Sequence, residues 1–165
     1  MHTRPRPAGK PAPNPKSEGD TTIRFIVIAK TNEDSEADVL PGTEAFAAMA
    51  EFNEELVKAG VLLAAEGLHP SSKGKRVRFE GSKRTVIDGP FAETKELVAG
   101  FWLWQCKSMD EAIEWVKRIP AEACPDGEGE IEIRQVFEAD DFGPAFTPEL
   151  REQEERLRGQ AAEKR

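Results

Sequence analysis

Cysteine and long apolar runs are scarce in this chain of 165 residues, and basic residues are outnumbered by acidic ones. Its two cysteines, Cys106 and Cys124, cannot build the disulfide framework of a small secreted domain. No apolar stretch approaches the roughly 18 residues that a membrane span needs, and the N-terminus lacks the apolar core of a secretory signal. These absences predict a cytoplasmic protein with no membrane partner.

Acidic residues exceed basic ones by 31 to 23, which gives a formal net charge of -8. A general binder of the nucleic-acid backbone needs a basic face, so we expect no direct nucleic acid binding. His69 is the one histidine beyond the first twenty residues, and no set of Cys, His or carboxylates has metal-ligand spacing. We therefore expect no metal and no cofactor, and a phosphate-binding G-x-G-x-x-G motif is absent as well.

Composition divides the chain into three zones, residues 1–20, 21–138 and 139–165. The first holds five of the twelve prolines and no large apolar residue between Met1 and Ile23, which predicts a disordered extension, either a binding arm or an inert tail. The last is a charged tail in which Thr147 and Pro148 begin a helix. Only Leu150 and Leu157 form its apolar stripe, so this helix should need to dock or to pair with another chain.

The middle zone alternates strand and helix signals in the order β-α-β, hairpin, β-α-β. Gly60 ends the first helix, Gly81 lies in the hairpin turn, and Ser108 with Glu111 forms a capping box that begins the second helix. This order predicts an α+β ferredoxin-like sandwich with an inserted β-hairpin. The predicted main strands are residues 23–28, 61–65, 101–106 and 129–137.

Alternation along these strands predicts two different sheet faces. We assign Phe25, Val27, Phe101, Leu103, Ile131 and Ile133 to the helix-covered face. The other face then carries Arg24, Ile26, Ile28, Trp102, Trp104, Glu132, Arg134 and Val136. Such a mixture of aromatic, aliphatic and charged residues favours a sheet-to-sheet homodimer with an enclosed cleft. The alternative is that the C-terminal segment covers this face through Phe142 and Phe146.

The stretch VIDGPFAETKELVAGFWLWQ, residues 86–105, resembles the DGPF proteins of the YCII-related superfamily. The segments GLHPSSKGKRVRFEG, SMDEAIEWVKRIP and GEGEIEIRQVFE are similar to the same family, so the resemblance covers residues 23–138. It implies a ferredoxin-like fold that pairs into a dimeric α/β barrel. It also implies a link to sigma factors, since some members are encoded beside them or fused to them. The proline-rich start and the charged tail depart from the family pattern.

Two residues could carry chemistry, Asp88 at the start of the motif and His69 in the preceding loop. The resemblance implies the same type of pair, because a His–Asp pair is the suggested catalytic feature of the superfamily. Asp88 could act as a general acid or base, or its carboxylate could fix the turn before Gly89 and Pro90. His69 could shuttle a proton near neutral pH, or it could be an ordinary loop residue. A dyad requires the loop of His69 and the strand end of Asp88 to meet.

The predicted cleft residues are Arg24, Glu66, Trp102, Trp104 and Arg134. Glu66 could form a structural ion pair with Arg24 or Arg134, which we favour over an acid–base role. The tryptophans could stack on a planar ligand or pack in the interface. Our preferred function is a dimeric domain that binds a small ligand or a regulatory partner in this cleft. The alternative is an isomerase or lyase that uses His69 and Asp88 for proton transfer.

Overall fold

The computed structural model describes residues 21–92, 96–124 and 127–164, so the predicted extension over residues 1–20 lies outside the described residues. The described chain forms six strands and four α-helices. They are β1 (Ile23–Lys30), α1 (Glu33–Glu36), α2 (Thr43–Lys58), β2 (Leu62–Gly67), β3 (Lys75–Glu80), β4 (Lys83–Asp88), β5 (Val98–Cys106), α3 (Met109–Val116), β6 (Ile131–Gln135) and α4 (Pro148–Glu163).

Four strands form one sheet in the order β2-β5-β1-β6, and every neighbouring pair is antiparallel. This order is compatible with the predicted ferredoxin-like α+β fold. Strands β3 and β4 form a separate two-stranded sheet, in which Glu80 lies opposite Lys83. The hairpin therefore turns over Gly81 and Ser82, and the positive φ of Gly81, 58°, is the backbone conformation that such tight turns require.

Side-chain caps begin the helices where the sequence predicts them. The Ser108 hydroxyl accepts a hydrogen bond from the backbone N–H of Glu111 at the start of α3. The Thr147 hydroxyl caps α4 in the same way, and Pro148 occupies its first turn. Both contacts satisfy backbone N–H groups that a helix start leaves without partners.

The hydrophobic core lies between the four-stranded sheet and the helices α2 and α3. Phe52 and Leu56 are the buried side chains of α2, and Ala112 is the buried one of α3. The edge of the Phe52 ring packs against Trp104 at 6.4 Å between ring centroids. Burial of this kind contributes roughly 1.5–3 kcal/mol for each large apolar side chain.

Strand β5 faces the opposite way from the sequence prediction. Trp104 lies opposite Phe25 and Trp102 lies opposite Val27, and cross-strand partners project to the same side of a sheet. Both tryptophans therefore lie on the helix-covered face, where Trp104 is fully buried and Trp102 packs against the core. The two indoles fill the volume under the helices, and Phe101 and Leu103 take the other face. The assignment of Trp102 and Trp104 to the cleft is wrong.

Candidate functional site

The sheet surface opposite the helices is the candidate site, and we call it the open face. Strand register defines its members, because partners across each ladder share a side. They are Ala64 and Glu66 of β2, Phe101, Leu103 and Gln105 of β5, Arg24, Ile26 and Ile28 of β1, and Glu132 and Arg134 of β6.

Apolar side chains occupy the centre of the open face. Ile26 lies opposite Leu103, and Ile28 lies opposite Phe101, on the two central strands of the sheet. All four side chains are half-buried. A contiguous apolar patch with a charged rim is typical of an interaction surface.

An ion pair closes one end of the open face. The Lys30 ammonium lies 2.9 Å from a carboxylate oxygen of Glu132 and 3.7 Å from Glu96, and the Lys30 side chain is only 11% exposed. The hydrogen bond to Glu132 raises the pKa of Lys30, and the same contact lowers the pKa of the Glu132 carboxyl. Arg134 adds a more distant positive charge, with its Nε 3.9 Å from Glu132.

A second ion pair closes the opposite end and ties down the chain that follows β6. The guanidinium of Arg24 donates two hydrogen bonds to the Glu138 carboxylate, at 2.8 and 3.1 Å. This contact raises the pKa of Arg24, with a smaller contribution from the charge of Glu154. We call residues 138–163 the C-terminal arm. Its Phe142 ring stacks on Phe137 at 5.1 Å between centroids.

The predicted pairing of Glu66 with Arg24 or Arg134 is not formed among the described residues. Arg24 pairs with Glu138, and Arg134 lies next to Glu132. Glu66 is exposed on β2, at the opposite edge of the sheet from β6. Three strand spacings of about 4.8 Å separate Glu66 from Arg134. Arg24 is two strand spacings away and four residues along β1 from Ile28, which lies in the row of Glu66, so neither arginine can reach it.

Ser71 connects its own loop both to Glu36 and to Phe91 of the Asp88-Gly89-Pro90-Phe91 motif. Its backbone N–H and its hydroxyl both donate to the Glu36 carboxylate, at 3.1 and 2.5 Å. Its Oγ accepts a hydrogen bond from the Phe91 N–H at 3.1 Å. A Cβ at Gly89 would lie 1.7 Å from the Ser71 carbonyl oxygen, so this approach requires a glycine.

The loop of His69 and the strand end of Asp88 do meet, through the contact between Ser71 and Gly89. The Asp88 carboxylate, however, is exposed and paired with Lys75 across the hairpin. His69 is also exposed. The pKa of Asp38 is lowered first by its hydrogen bond from Lys73, 2.8 Å away, and to a smaller extent by His69. Asp38 is therefore a carboxylate in the neighbourhood of His69, which the sequence analysis missed.

The match to a known protein family covers the part of the chain that forms the open face and the hairpin. The sequence model of the YCII-related domain matches residues 23–140, which include the whole four-stranded sheet and the hairpin. The chain belongs to the YCII-related family.

A curated relative of this YCII-related protein is an uncharacterized protein of Rhizobium meliloti (strain 1021). The two are 38% identical over 80 residues, which is 48% of this chain and 63% of the relative. The chain therefore spans less than two thirds of the length of the relative that it matches.

The part of this YCII-related protein that the structure describes has neither a membrane-crossing helix nor a metal-binding cluster. None of the helices in residues 21–92, 96–124 and 127–164 is both long enough and apolar enough to cross a membrane. Over the same residues, no group of three or more His, Cys, Asp or Glu side chains is placed to hold a metal ion.

Three important residues escaped the sequence analysis for different reasons. Lys30 continues the alternation of Arg24, Ile26 and Ile28, so extending the predicted strand to residue 30 would have placed Lys30 on the same side of the sheet. Glu36 ends the short helix α1 and Asp38 follows it, in a segment too short for periodicity to mark a side chain's direction. Asp38 has a φ of 62°, a conformation that Asp tolerates better than most residues.

Proposed function

We propose that this YCII-related protein is a homodimer that pairs two open faces and binds a small ligand in the cleft between them. The observation that carries the proposal is the apolar centre of Ile26, Ile28, Phe101 and Leu103 on the face of the sheet opposite α2 and α3. A second copy of the same surface is its simplest complement, because two-fold dimers are the commonest soluble assemblies.

The charged residues at the rim suggest the class of ligand. Lys30 and Arg24 at the two ends of the face are already paired with carboxylates, whereas the Arg134 side chain is 71% exposed. Glu66 is the exposed carboxylate on the other edge strand. A cleft with an apolar floor and Arg134 at its rim suits a small organic anion, whose carboxylate or phosphate this arginine could hold by two hydrogen bonds.

Native mass spectrometry of the purified protein, combined with sedimentation, tests this proposal. We expect a dimer whose mass includes a small molecule. Leu103→Asp should give a monomer with native circular dichroism, because it places a charge in the paired faces. Val57→Asp is the matched control on the exposed side of α2 and should remain dimeric. A wild-type monomer at micromolar concentration would contradict the proposal.

A regulatory protein is the alternative to a small ligand as the binding partner of the dimer cleft. It is suggested by the link of related proteins to sigma factors, and a co-purified transcription factor would support it. An empty dimer in native mass spectrometry would favour this version over ligand binding.

The alternative function is an isomerase or lyase that uses His69 for proton transfer. The observation in its favour is that the loop of His69 contacts the segment of Asp38, through the Ser71–Glu36 hydrogen bond and the Lys73–Asp38 ion pair. It ranks second because Asp88, the predicted partner, is exposed and paired with Lys75. If a compound co-purifies, its turnover by His69→Ala, Asp88→Ala and Asp38→Ala proteins tests this function. Intact turnover in all three would exclude it.

A further inference from the structure

The β3–β4 hairpin projects a basic surface with an apolar stripe. Every residue of β3 is exposed, and the register places Val77 opposite Val86 and Phe79 opposite Arg84 on one side. Phe79 is 68% exposed, although the Arg84 guanidinium lies over its ring. Five basic residues against two acidic ones give residues 75–88 a net charge of +3 in a chain of net charge -8.

The C-terminal arm has the complementary character. It contains eight acidic and three basic residues, a net charge of -5. Its helix α4 buries none of its side chains, and Leu150 and Leu157 are 44% and 53% exposed. These two leucines are seven residues apart, so they lie on the same side of the helix. Helices in proteins take most of their stability from packing of an apolar side, and α4 buries none of its apolar side chains within one chain.

The two surfaces leave the sheet from opposite ends. The hairpin joins the end where Gly67 lies opposite Gly100. The arm begins at the other end, where the Val136 N–H donates to the Arg24 carbonyl. If two sheets face each other about a two-fold axis that is perpendicular to their strands, the hairpin end of one sheet lies against the arm end of the other. An axis along the strands would instead place hairpin against hairpin and arm against arm, which would juxtapose like charges.

We propose that the hairpin of one protomer packs on the C-terminal arm of its partner, with Val77, Phe79 and Val86 against Leu150 and Leu157. The occupant of each surface is then a second copy of this chain, and both copies close the cleft. This inference rests on the dimer of the proposed function. It adds a defined orientation, in which the two sheets face each other with their strand ends exchanged.

Disulfide mapping between two co-expressed chains tests the orientation. Both chains carry Cys124→Ser, and N-terminal tags of different length distinguish them. One chain carries Phe79→Cys and the other carries Leu150→Cys or Leu157→Cys. Because a disulfide needs Cβ atoms within about 4 Å, we expect a cross-linked heterodimer in roughly tenfold excess over the pair of Phe79→Cys with the control Val57→Cys.

The outcomes separate this inference from the proposed function. A Phe79–Leu150 or Phe79–Leu157 cross-link supports it. Preferential cross-linking of two Phe79→Cys chains, or of two Leu150→Cys chains, means that like ends meet and overturns it. A dimer by sedimentation with no such cross-link overturns the inference and leaves the proposed dimer intact. A monomer overturns both.

Charge reversal gives an independent test. Arg84→Glu should raise the dimer dissociation constant several-fold, because Arg84 lies on the same side of the hairpin as Val77, Phe79 and Val86 and would then repel the acidic arm. Adding Glu154→Lys, on the same side of α4 as Leu150 and Leu157, should restore the wild-type constant, since the signs are again opposite. Failure of this rescue would contradict the pairing. Arg84 is exposed and Glu154 is only partly buried, so the substitutions leave the core intact.

Discussion

The two hydrogen bonds from Arg24 to Glu138 join the open face to the C-terminal arm, over 114 positions of sequence. We expect Glu138→Gln to lower the free energy of unfolding by no more than about 1 kcal/mol, since the pair is partly exposed. The arm should loosen much more, and limited trypsin digestion should cut at Arg156 sooner. Glu114→Gln, which breaks an exposed pair with Lys117 on α3, should leave that cleavage unchanged.

The Lys30–Glu132 pair predicts a pH dependence of stability. The pKa of Glu132 is lowered from 4.5 in the folded state, so the unfolded chain binds more protons near that pH. The contribution of the pair is therefore fully present above pH 4.5 and is lost as the pH falls through the lower, folded pKa. Urea unfolding from pH 7 to pH 3 should show a smaller decline in Glu132→Gln. An equally steep decline would contradict this role, and exposed Glu122→Gln is the control.

Gly89→Ala should be strongly destabilising. The added Cβ would lie 1.7 Å from the Ser71 carbonyl oxygen and 2.6 Å from its carbon, so backbone must move. We expect a loss of about 3 kcal/mol or more in chemical denaturation. Gly67→Ala is the matched control, because its Cβ would meet nothing within 4 Å. Equal stability of the two variants would show that the loops do not touch.

Ser71→Ala should lower stability by about 1–2 kcal/mol, because it removes the donor to Glu36 and the acceptor for the Phe91 N–H. Thermal unfolding measures the loss. Ser72→Ala changes an exposed hydroxyl in the same 3₁₀ turn and should be nearly neutral. A neutral Ser71→Ala would mean that Glu36 and Phe91 find other partners.

The two cysteines should differ in reactivity. Cys106 is buried, and burial raises the pKa of its thiol to about 11, so its thiolate is scarce at neutral pH. Cys124 is only partly buried. A disulfide reagent near neutral pH should label Cys124 first and Cys106 only on unfolding. Fast modification of Cys106 in a Cys124→Ser protein would contradict its burial.

Local patterns in the sequence determined the order and type of the elements. The β-branched run of β1, the Ser108 cap and the Gly81 turn each act within a few residues, so they are readable without a fold. Alternation along β1 also identified Arg24, Ile26 and Ile28 as neighbours on one face. The helix that begins at Thr147 was predicted by the same local signals.

Tertiary structure alone decided which face each strand presents and which charges pair. Alternation in β5 separates Trp102 and Trp104 from Phe101 and Leu103, but only the register with β1 shows which set meets the helices. Arg24 pairs with Glu138 rather than with Glu66 because β1 is the neighbour of β6, after which Glu138 follows, and lies two strands away from β2. Ser71 acts as a junction because Glu36 and Phe91, far apart in the chain, approach it from two other loops. Such contacts depend on how strands are ordered and aligned, which residue spacing does not specify.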